Sequence, residues 1–417
     1  MTSQRPLPAM LLRARTVVPN PTSQIDDGAV FVRGDRVERV GRFAELDSGR
    51  LPVFDLGEAA LLPGLVNAHA HLDLTATRGR FRPTRDFAGW IRGFRSLREE
   101  LHEGAVAAVE EGARELLDGG CTLVADMVND FAGTAGLHRA GIRAVAYHEV
   151  IEFGGVAPKP LEAAVETVAR SPREGVVLPG LAPHTPYTCS ERILRECTEA
   201  GRKLGMPLAL HVAETRQEVE FLLRGEGDLA DLFRSGYGSE WRPPGKRPAV
   251  HLRDLGLLDE PRLLAHGNWL DREEMEMLRE RRAVVVHCPG SHAFFGHERH
   301  PVADLREVGV RVALGTDCLA CHPDTVQSMP AEIRRLAARE PSIPPEELLA
   351  MATANGAAGL GLAGVLAPGS FADAAAFFVP GGWKGPESLL DPDLTCMATF
   401  VGGKRRGGSM SNLDLTE

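Results

Sequence analysis

Four short apolar runs in this sequence end on residues of the kinds that hold metal ions. His69 and His71 follow Leu65-Val66-Asn67-Ala68, and His211 follows Leu208-Ala209-Leu210. His266 ends Leu263-Leu264-Ala265-His266, and Asp317 ends Ala313-Leu314-Gly315-Thr316-Asp317. Residues i and i+2 of a strand point to the same side, so His69 and His71 can face one centre. Three imidazoles and a carboxylate make a site for one divalent ion, with a position left open for water. An ion held that way lowers the pKa of bound water to about 7 and supplies hydroxide at neutral pH. Glu214, three residues beyond His211, can lie beside such an ion without binding it. A carboxyl group whose pKa is tuned upward is a suitable proton shuttle. The chemistry these residues could do together is metal-assisted hydrolysis.

Such residues need a frame that brings strand ends together. Apolar or β-branched runs near Gly64–Ala70, Cys121–Val128, Ile142–Val150, Val176–Ala182, Pro207–Ala213, Arg262–His266, Ala283–His287 and Val310–Gly315 read as strands. Helical patterns separate them, among them Ala105–Leu117, Leu161–Ala169, Glu191–Lys203 and Asp271–Glu280. Eight strands alternating with helices predict an α/β protein built on a (β/α)8 TIM-like barrel, with catalytic groups at the C-terminal strand ends. The stretch Gly225–Pro248 reads as an irregular insertion. Both chain ends are β-rich: Val30-Phe31-Val32, the turn Arg33-Gly34-Asp35-Arg36 and Val37–Val40 read as a hairpin. Residues 1–60 and 361–417 are expected to pair into a small composite β-sandwich domain, leaving 61–360 as the barrel. The tail after Arg406, Gly/Ser-rich and then acidic, has the composition of a disordered end.

Several phrases place the chain further. Leu62-Pro63-Gly64-Leu65-Val66-Asn67-Ala68-His69-Ala70-His71 opens the series. Ala182-Pro183-His184-Thr185-Pro186-Tyr187-Thr188, His211-Val212-Ala213-Glu214-Thr215, Leu264-Ala265-His266 and Leu314-Gly315-Thr316-Asp317 continue it. Met351-Ala352-Thr353-Ala354-Asn355-Gly356-Ala357 and Leu366-Ala367-Pro368-Gly369-Ser370-Phe371-Ala372-Asp373 close it. As a set they resemble the amidohydrolase superfamily, in its cytosine deaminase-like and adenosine-derivative deaminase branch, over nearly the whole chain. The resemblance implies that His69, His71, His211 and Asp317 bind one zinc or iron ion, zinc being the better choice. It further implies that Glu214 protonates the substrate's ring nitrogen, that His266 orients the attacking water, and that His184 contacts the substrate. Asp317 can both ligate the ion and take the water's proton. No lysine occurs from Val176 to His184, so the single-metal version is expected over the carbamylated-lysine pair.

Among these deaminases the branch acting on 6-amino-6-deoxyfutalosine, a menaquinone precursor, is the one most resembled, through the loop carrying Ser291, Phe294, Phe295 and His297. Its substrate carries an adenine and, beyond the ribose, a benzoate. Phe294, Phe295 or Trp90 would stack on the aromatic ring, and Arg78, Arg80 or Arg82 would clamp the carboxylate through paired hydrogen bonds. The alternative for those arginines is a solvated charged face. Two departures from the family bear on the pocket: Ser291-His292 replaces the usual Ser-Asn, and Ala88-Gly89 before Trp90 lacks the acidic residue that can grip ribose. Other readings are deamination of S-adenosylhomocysteine or methylthioadenosine, hydrolysis of cytosine, guanine or triazines, and a non-catalytic scaffold. The retained ligand set speaks against the scaffold, and Glu214 favours deamination.

Cys318-Leu319-Ala320-Cys321-His322 spells the c-type haem attachment motif, but it falls on the expected eighth active-site loop and no export signal accompanies it. It therefore reads as a coincidental loop, the alternative being a second structural metal that would compete with the catalytic site for space. His102, His138, His148 and His251 read as ordinary helix, core or surface residues. The 417 residues are 43% hydrophobic and 25% charged, a globular balance, and the net charge of −10 argues against nucleic acid or an anionic membrane as partner. Seven scattered cysteines read as free thiols of a reducing cytoplasm rather than a disulfide framework. Arg13 and Arg15 interrupt the one apolar stretch near the start, so a signal peptide is not expected. The expected partner is a small-molecule substrate, and the sequence leaves monomer and homodimer open.

Overall fold

The computed structural model describes residues 8–47, 49–102, 104–129, 131–152, 161–170, 176–237, 242–259 and 262–410. The N-terminal stretch forms β1 (Ala9–Asn20), β2 (Ser23–Arg33), β3 (Arg36–Arg42), β4 (Val53–Asp55) and β5 (Ala60–Pro63). The expected hairpin is β2–β3, paired antiparallel from Gly28–Arg42 to Arg33–Arg36. One residue after β5 the chain enters a series of parallel strands. These are β6 (Leu65–Ala70), β7 (Cys121–Val128), β8 (Arg143–Val150), β9 (Val177–Pro183), β10 (Ala209–Val212), β11 (Leu263–His266), β12 (Val284–His287) and β13 (Arg311–Leu314). The chain returns to antiparallel pairing in β14 (Ala374–Phe378), β15 (Thr395–Val401) and β16 (Lys404–Gly407).

The parallel strands form two four-stranded sheets, β6-β7-β8-β9 and β10-β11-β12-β13. The sheets meet at two points: Leu181 bridges to Leu208, and Ala70 bridges to Asp317. At the second point Thr316 and Asp317 donate their N–H groups to the His69 carbonyl at 3.1 and 3.0 Å, and His71 N–H reaches the Asp317 carbonyl at 3.2 Å. The approach is close because residue 315 is glycine; a Cβ there would lie 2.8 Å from the His69 carbonyl oxygen.

Burial explains why these runs are strands. Every position of β7 and β8 is buried, the signature of parallel strands covered on both faces. Side chains alternate between two environments. Val66, Leu123, Met127, Tyr147, Ala182, Ala209, Leu263, Val286 and Ala313, drawn from all eight parallel strands, pack into one cluster. Intervening residues such as Val124, Ala144, Leu210, Leu264 and Val285 pack in a separate cluster with helix residues. Those helices include Ala105–Asp118, Leu161–Arg170, Glu191–Leu204 and Arg272–Glu280. The last begins with a capping box between Asp271 and Glu274.

The two chain ends come together in one eight-stranded mixed sheet, ordered β16-β15-β14-β5-β1-β2-β3 with β4 on β1. Arg143 at the start of β8 ties this sheet to the parallel strands through Asp373, which also accepts Gly402 N–H at 2.7 Å. Two expectations are corrected. The insertion Gly225–Pro248 is not irregular throughout, since Asp228–Tyr237 is helical. Of the tail expected to be disordered, Ser409 and Met410 bond to the Cys396 and Met397 carbonyls, while residues 411–417 lie outside the described residues. Among the described residues no helix is long and apolar enough to cross a membrane, and all seven cysteines are free.

Candidate active site

The strand ends bring His69, His71, His211, His266 and Asp317 together. His71 Nε2 and His211 Nε2 face each other at 3.2 Å. His69 Nε2 and His71 Nε2 lie 3.5 and 3.8 Å from Asp317 Oδ1. The His69 and His266 ring centroids are 5.3 Å apart. All five side chains are buried. Burial, then the nearness of His69, pushes His71 down to about 3, and burial pushes His266 down to about 3. Burial and the surrounding histidines hold His211 well below its ordinary value. Burial acts to raise the Asp317 carboxyl, but the neighbouring His69, His266 and His71 outweigh that and hold it well below its usual range. Of the imidazoles facing the Asp317 carboxylate, His71, His211 and His266 are thus held neutral.

The donor set fits a divalent ion. His69 is fully buried, and neither of its ring nitrogens has a hydrogen-bond partner; such orphans are costly unless something else binds them. His211 Nδ1 lies 3.0 Å from the His184 carbonyl, which fixes the Nδ1–H tautomer and turns the Nε2 lone pair inward. Tetrahedral ligands at about 2.0–2.1 Å from zinc sit roughly 3.4 Å apart, close to the spacing seen between His71 and His211. Zinc and ferrous iron both accept imidazole and carboxylate ligands.

The backbone pays for this convergence in strain. Ala213, His266 and Asp317, each just past or at the end of a strand, have φ of 49°, 71° and 59°. Left-handed backbone at a residue other than glycine costs about 1–2 kcal/mol, and it turns the chain so that strand-end side chains point across the top of the sheets. Around Ala213 the turn is held by Glu218, whose oxygens accept the Ala213 and Glu214 N–H groups at 2.9 and 2.8 Å. Thr215 caps the following helix, Arg216–Arg224, by accepting Glu218 N–H. Sequence reasoning missed Glu218, although Thr215-Arg216-Gln217-Glu218 has the capping-box spacing that could have found it. Replacing Glu218 with alanine would leave two buried N–H groups without an acceptor, each worth about 1–3 kcal/mol. The expected result is a lower urea midpoint at unchanged slope; equal stability would remove Glu218 from this role.

Glu214 lies beside the cluster, its Oε1 3.8 Å from His266 Nε2. Burial, and then the charges of Asp317 and Glu218, raise its carboxyl well above the usual range. Asn268 donates to the Glu214 carbonyl at 2.9 Å, and His300 Nε2 lies 2.9 Å from the His266 carbonyl. His184 sits at the rim, its Nδ1 2.7 Å from Thr188 Oγ1 and its Nε2 3.8 Å from Glu149.

A cavity opens from this cluster, lined by His71, His184, His211, Glu214, His266 and Asp317 at its floor. Phe87, Trp90, Phe94, Tyr187 and Phe233 line its wall, together with Arg95, Asn129 and Glu149. Trp90 is positioned by its indole N–H, which donates to the Ala320 carbonyl at 3.0 Å, and by stacking on Phe94 at 5.4 Å. The other expected substrate contacts do not line this cavity. Phe294 and Phe295 are buried behind the wall, Phe295 packing edge-on against Phe87 and Trp90 at 5.0 and 5.3 Å. Ser291 and His297 lie with them, and His297 contacts Phe295 at 6.0 Å. Arg78 is turned away to Glu111, Glu115 and the Thr325 carbonyl, and neither Arg80 nor Arg82 reaches the cavity. Arg95, which sequence reasoning passed over, is the arginine that does, with its guanidinium 5.0 Å from the Phe233 ring.

A parallel-strand α/β fold with a strand-end histidine–aspartate cluster thus carries a donor set suited to a divalent ion, and comparison with known proteins places the chain. Residues 60–406 match the sequence profile of the amidohydrolase family, and the chain belongs to that family. It is 33% identical over 384 residues to a 5-methylthioadenosine/S-adenosylhomocysteine deaminase of Moorella thermoacetica, covering 87% of this chain and 84% of that protein. The fold is shared with Helicobacter pylori aminofutalosine deaminase in complex with methylthio-coformycin (TM-score 0.84, 20% identity, 95% and 99% of the chains). It is also shared with an adenosine deaminase of Xanthomonas campestris with bound zinc (TM-score 0.79, 24% identity, 99% and 96%).

Proposed function

We propose that this protein is a metal-dependent aminohydrolase that removes the exocyclic amino group from the adenine of a 5′-substituted adenosine. The observation that carries the reading is Glu214, a buried carboxyl with a raised pKa, set between His266 and the histidine–aspartate cluster. Deaminase-named relatives across most of the chain support it. In the same reading the two parallel sheets curl into a single (β/α)8 barrel spanning residues 61–360. The shared eight-strand interior cluster and the two inter-sheet bridges support this. Residues 1–60 and 361–417 then make the small second domain, whose mixed sheet would fold over on itself to give the expected sandwich.

His69, His71, His211 and Asp317 would hold one zinc or iron ion, which when bound acidifies water to a pKa of about 7. Held neutral, His71 and His211 keep their lone pairs for that purpose. His266, without a proton on the inward nitrogen, accepts a hydrogen bond from the attacking water and aims it at the purine carbon. Asp317 receives the proton that the water gives up. Glu214 delivers its own proton to the adjacent ring nitrogen, so negative charge never accumulates on the ring. The proton held by Asp317 passes to the leaving amine, and the hydroxyl proton returns to Glu214 as the carbonyl forms. His184 contacts the base, and Glu149 and Asn129 are the polar groups of the wall suited to ribose hydroxyls.

The substrate we infer is 6-amino-6-deoxyfutalosine, which would place the enzyme in menaquinone biosynthesis. Support comes from the wall: Trp90, Phe94 and Phe233 offer faces for an aryl ring, and Arg95 stands among them to meet its carboxylate. A second reading, S-adenosylhomocysteine or methylthioadenosine, is favoured by the names of the relatives. The test compares kcat/KM for aminodeoxyfutalosine, S-adenosylhomocysteine, methylthioadenosine and adenosine. A preference of tenfold or more for the benzoate-bearing compound, about 1.4 kcal/mol, is expected. Arg95→Ala should erase that preference by raising KM for the carboxylate-bearing substrates while leaving adenosine turnover unchanged. Equal or better turnover of methylthioadenosine by the unaltered enzyme selects the second reading.

A further inference from the structure

We propose that Asp317, Cys318 and Cys321 form a second, weaker site for a thiophilic divalent ion such as cadmium or excess zinc, directly beside the first. The Asp317 carboxylate faces two ways. Its Oδ1 looks toward His69 and His71 at 3.5 and 3.8 Å. Its Oδ2 accepts the Cys321 thiol at 3.2 Å. An Asp317 oxygen and the two sulfurs all lie within 4.8 Å of one another, and all three residues are buried.

The local backbone produces this pairing. Residues Leu319–Cys321 form a single 3-10 turn, with Cys321 N–H on the Cys318 carbonyl at 3.1 Å. A Cys-x-x-Cys spacing on such a turn brings both sulfurs to one side. Zinc–sulfur bonds of about 2.3 Å and zinc–oxygen bonds of about 2.0–2.2 Å put tetrahedral sulfurs roughly 3.8 Å apart, within reach of small side-chain rotations here. Soft thiolates select zinc or cadmium over magnesium or calcium. Cys318 and Cys321 both line the cavity, so water can supply a fourth ligand.

The neighbouring histidine takes no part. His322 is committed to Glu332 Oε1 at 2.9 Å and receives Asp324 N–H at 3.0 Å. It is locked there, since a Cβ on Gly290 would fall 1.8 Å from its Nε2. The haem-like spelling of the sequence is thus divided between two environments, thiols in the pocket and an imidazole behind it.

An ion on the two sulfurs would share Asp317 and occupy the floor of the cavity. It would therefore inhibit, in competition with substrate; that last point alone rests on the function proposed above. The experiment uses the full-length protein in a phosphine reductant, loaded with one zinc per chain and titrated with cadmium. An ultraviolet sulfur-to-cadmium charge-transfer band is expected to rise and saturate at one cadmium per chain while the zinc stays bound. Deaminase activity should fall at least tenfold over the same range. Cys318→Ser/Cys321→Ser should lose the band and keep its zinc. For the unaltered protein, cadmium-113 NMR should report a sulfur-containing ligand set, a readout independent of whether the variant folds. No band at saturating cadmium, cadmium entering only as zinc leaves, or an undiminished second equivalent in the double variant would each overturn the site. A band without any deaminase activity to inhibit would keep the site and discard the proposed function.

Discussion

Glu214→Gln is expected to lower kcat by about 10²–10⁴-fold, the range for a lost general acid–base group, while the protein keeps its metal. Glutamine has the shape of glutamate, but it carries no acidic proton to give to a ring nitrogen. The surroundings of Glu214 are built around its position: Glu218 and Asn268 bond its backbone N–H and carbonyl. The substitution therefore changes chemistry rather than placement, and KM should move little. Metal content measured beside kcat and KM decides the case. A variant that loses its ion along with its turnover would make Glu214 a ligand or a support of ligands.

Removing the ion is expected to abolish turnover altogether, and so are His69→Ala and Asp317→Asn. The dialysed protein should hold close to one zinc or iron per chain, the weaker thiol site emptying under those conditions. Each variant should hold far less. Chelation should stop the reaction, and restoring zinc or iron in turn should identify which ion supports the higher kcat. Asp317→Asn is the sharper substitution, because it preserves volume and removes only the charge that the neighbouring histidines stabilise. Two tightly held ions in dialysed protein, or full activity after complete chelation, would be incompatible with a single catalytic ion.

The eight parallel strands were legible because each is a short, largely buried apolar run, and the five residues of the strand-end cluster because they fall where those runs stop. Burial alternation cannot say what an apolar helix face packs against, and this is where the reading ran out. Phe87–His102 and Asp228–Tyr237 are both amphipathic helices, yet Trp90, Phe94 and Phe233 face a cavity rather than a closed core. Phe294 and Phe295 were expected to stack on substrate because their loop resembles that of the aminodeoxyfutalosine branch; the tertiary fold instead puts Phe87 and Trp90 in front of them. Arg78, Arg80 and Arg82 are near His71 in sequence, but the 3-10 turn Leu72–Thr77 carries the chain out of the site, and acids on the Ala105–Asp118 helix capture Arg78. Contacts of that range have no signature in spacing.

The four proposed ligands are divided evenly between the two parallel sheets: His69 and His71 from the first, His211 and Asp317 from the second. An ion bound by all four would be a cross-link over the junction where the sheets meet by a single backbone bridge. Free ion at a hundred times its dissociation constant would add about 2.7 kcal/mol against separation of the halves. In a cell short of metal, the chains that fail to load would then be the ones whose junction opens and whose connecting segments proteases reach first. Protein abundance would follow metal supply, and inactive enzyme would be cleared rather than stored.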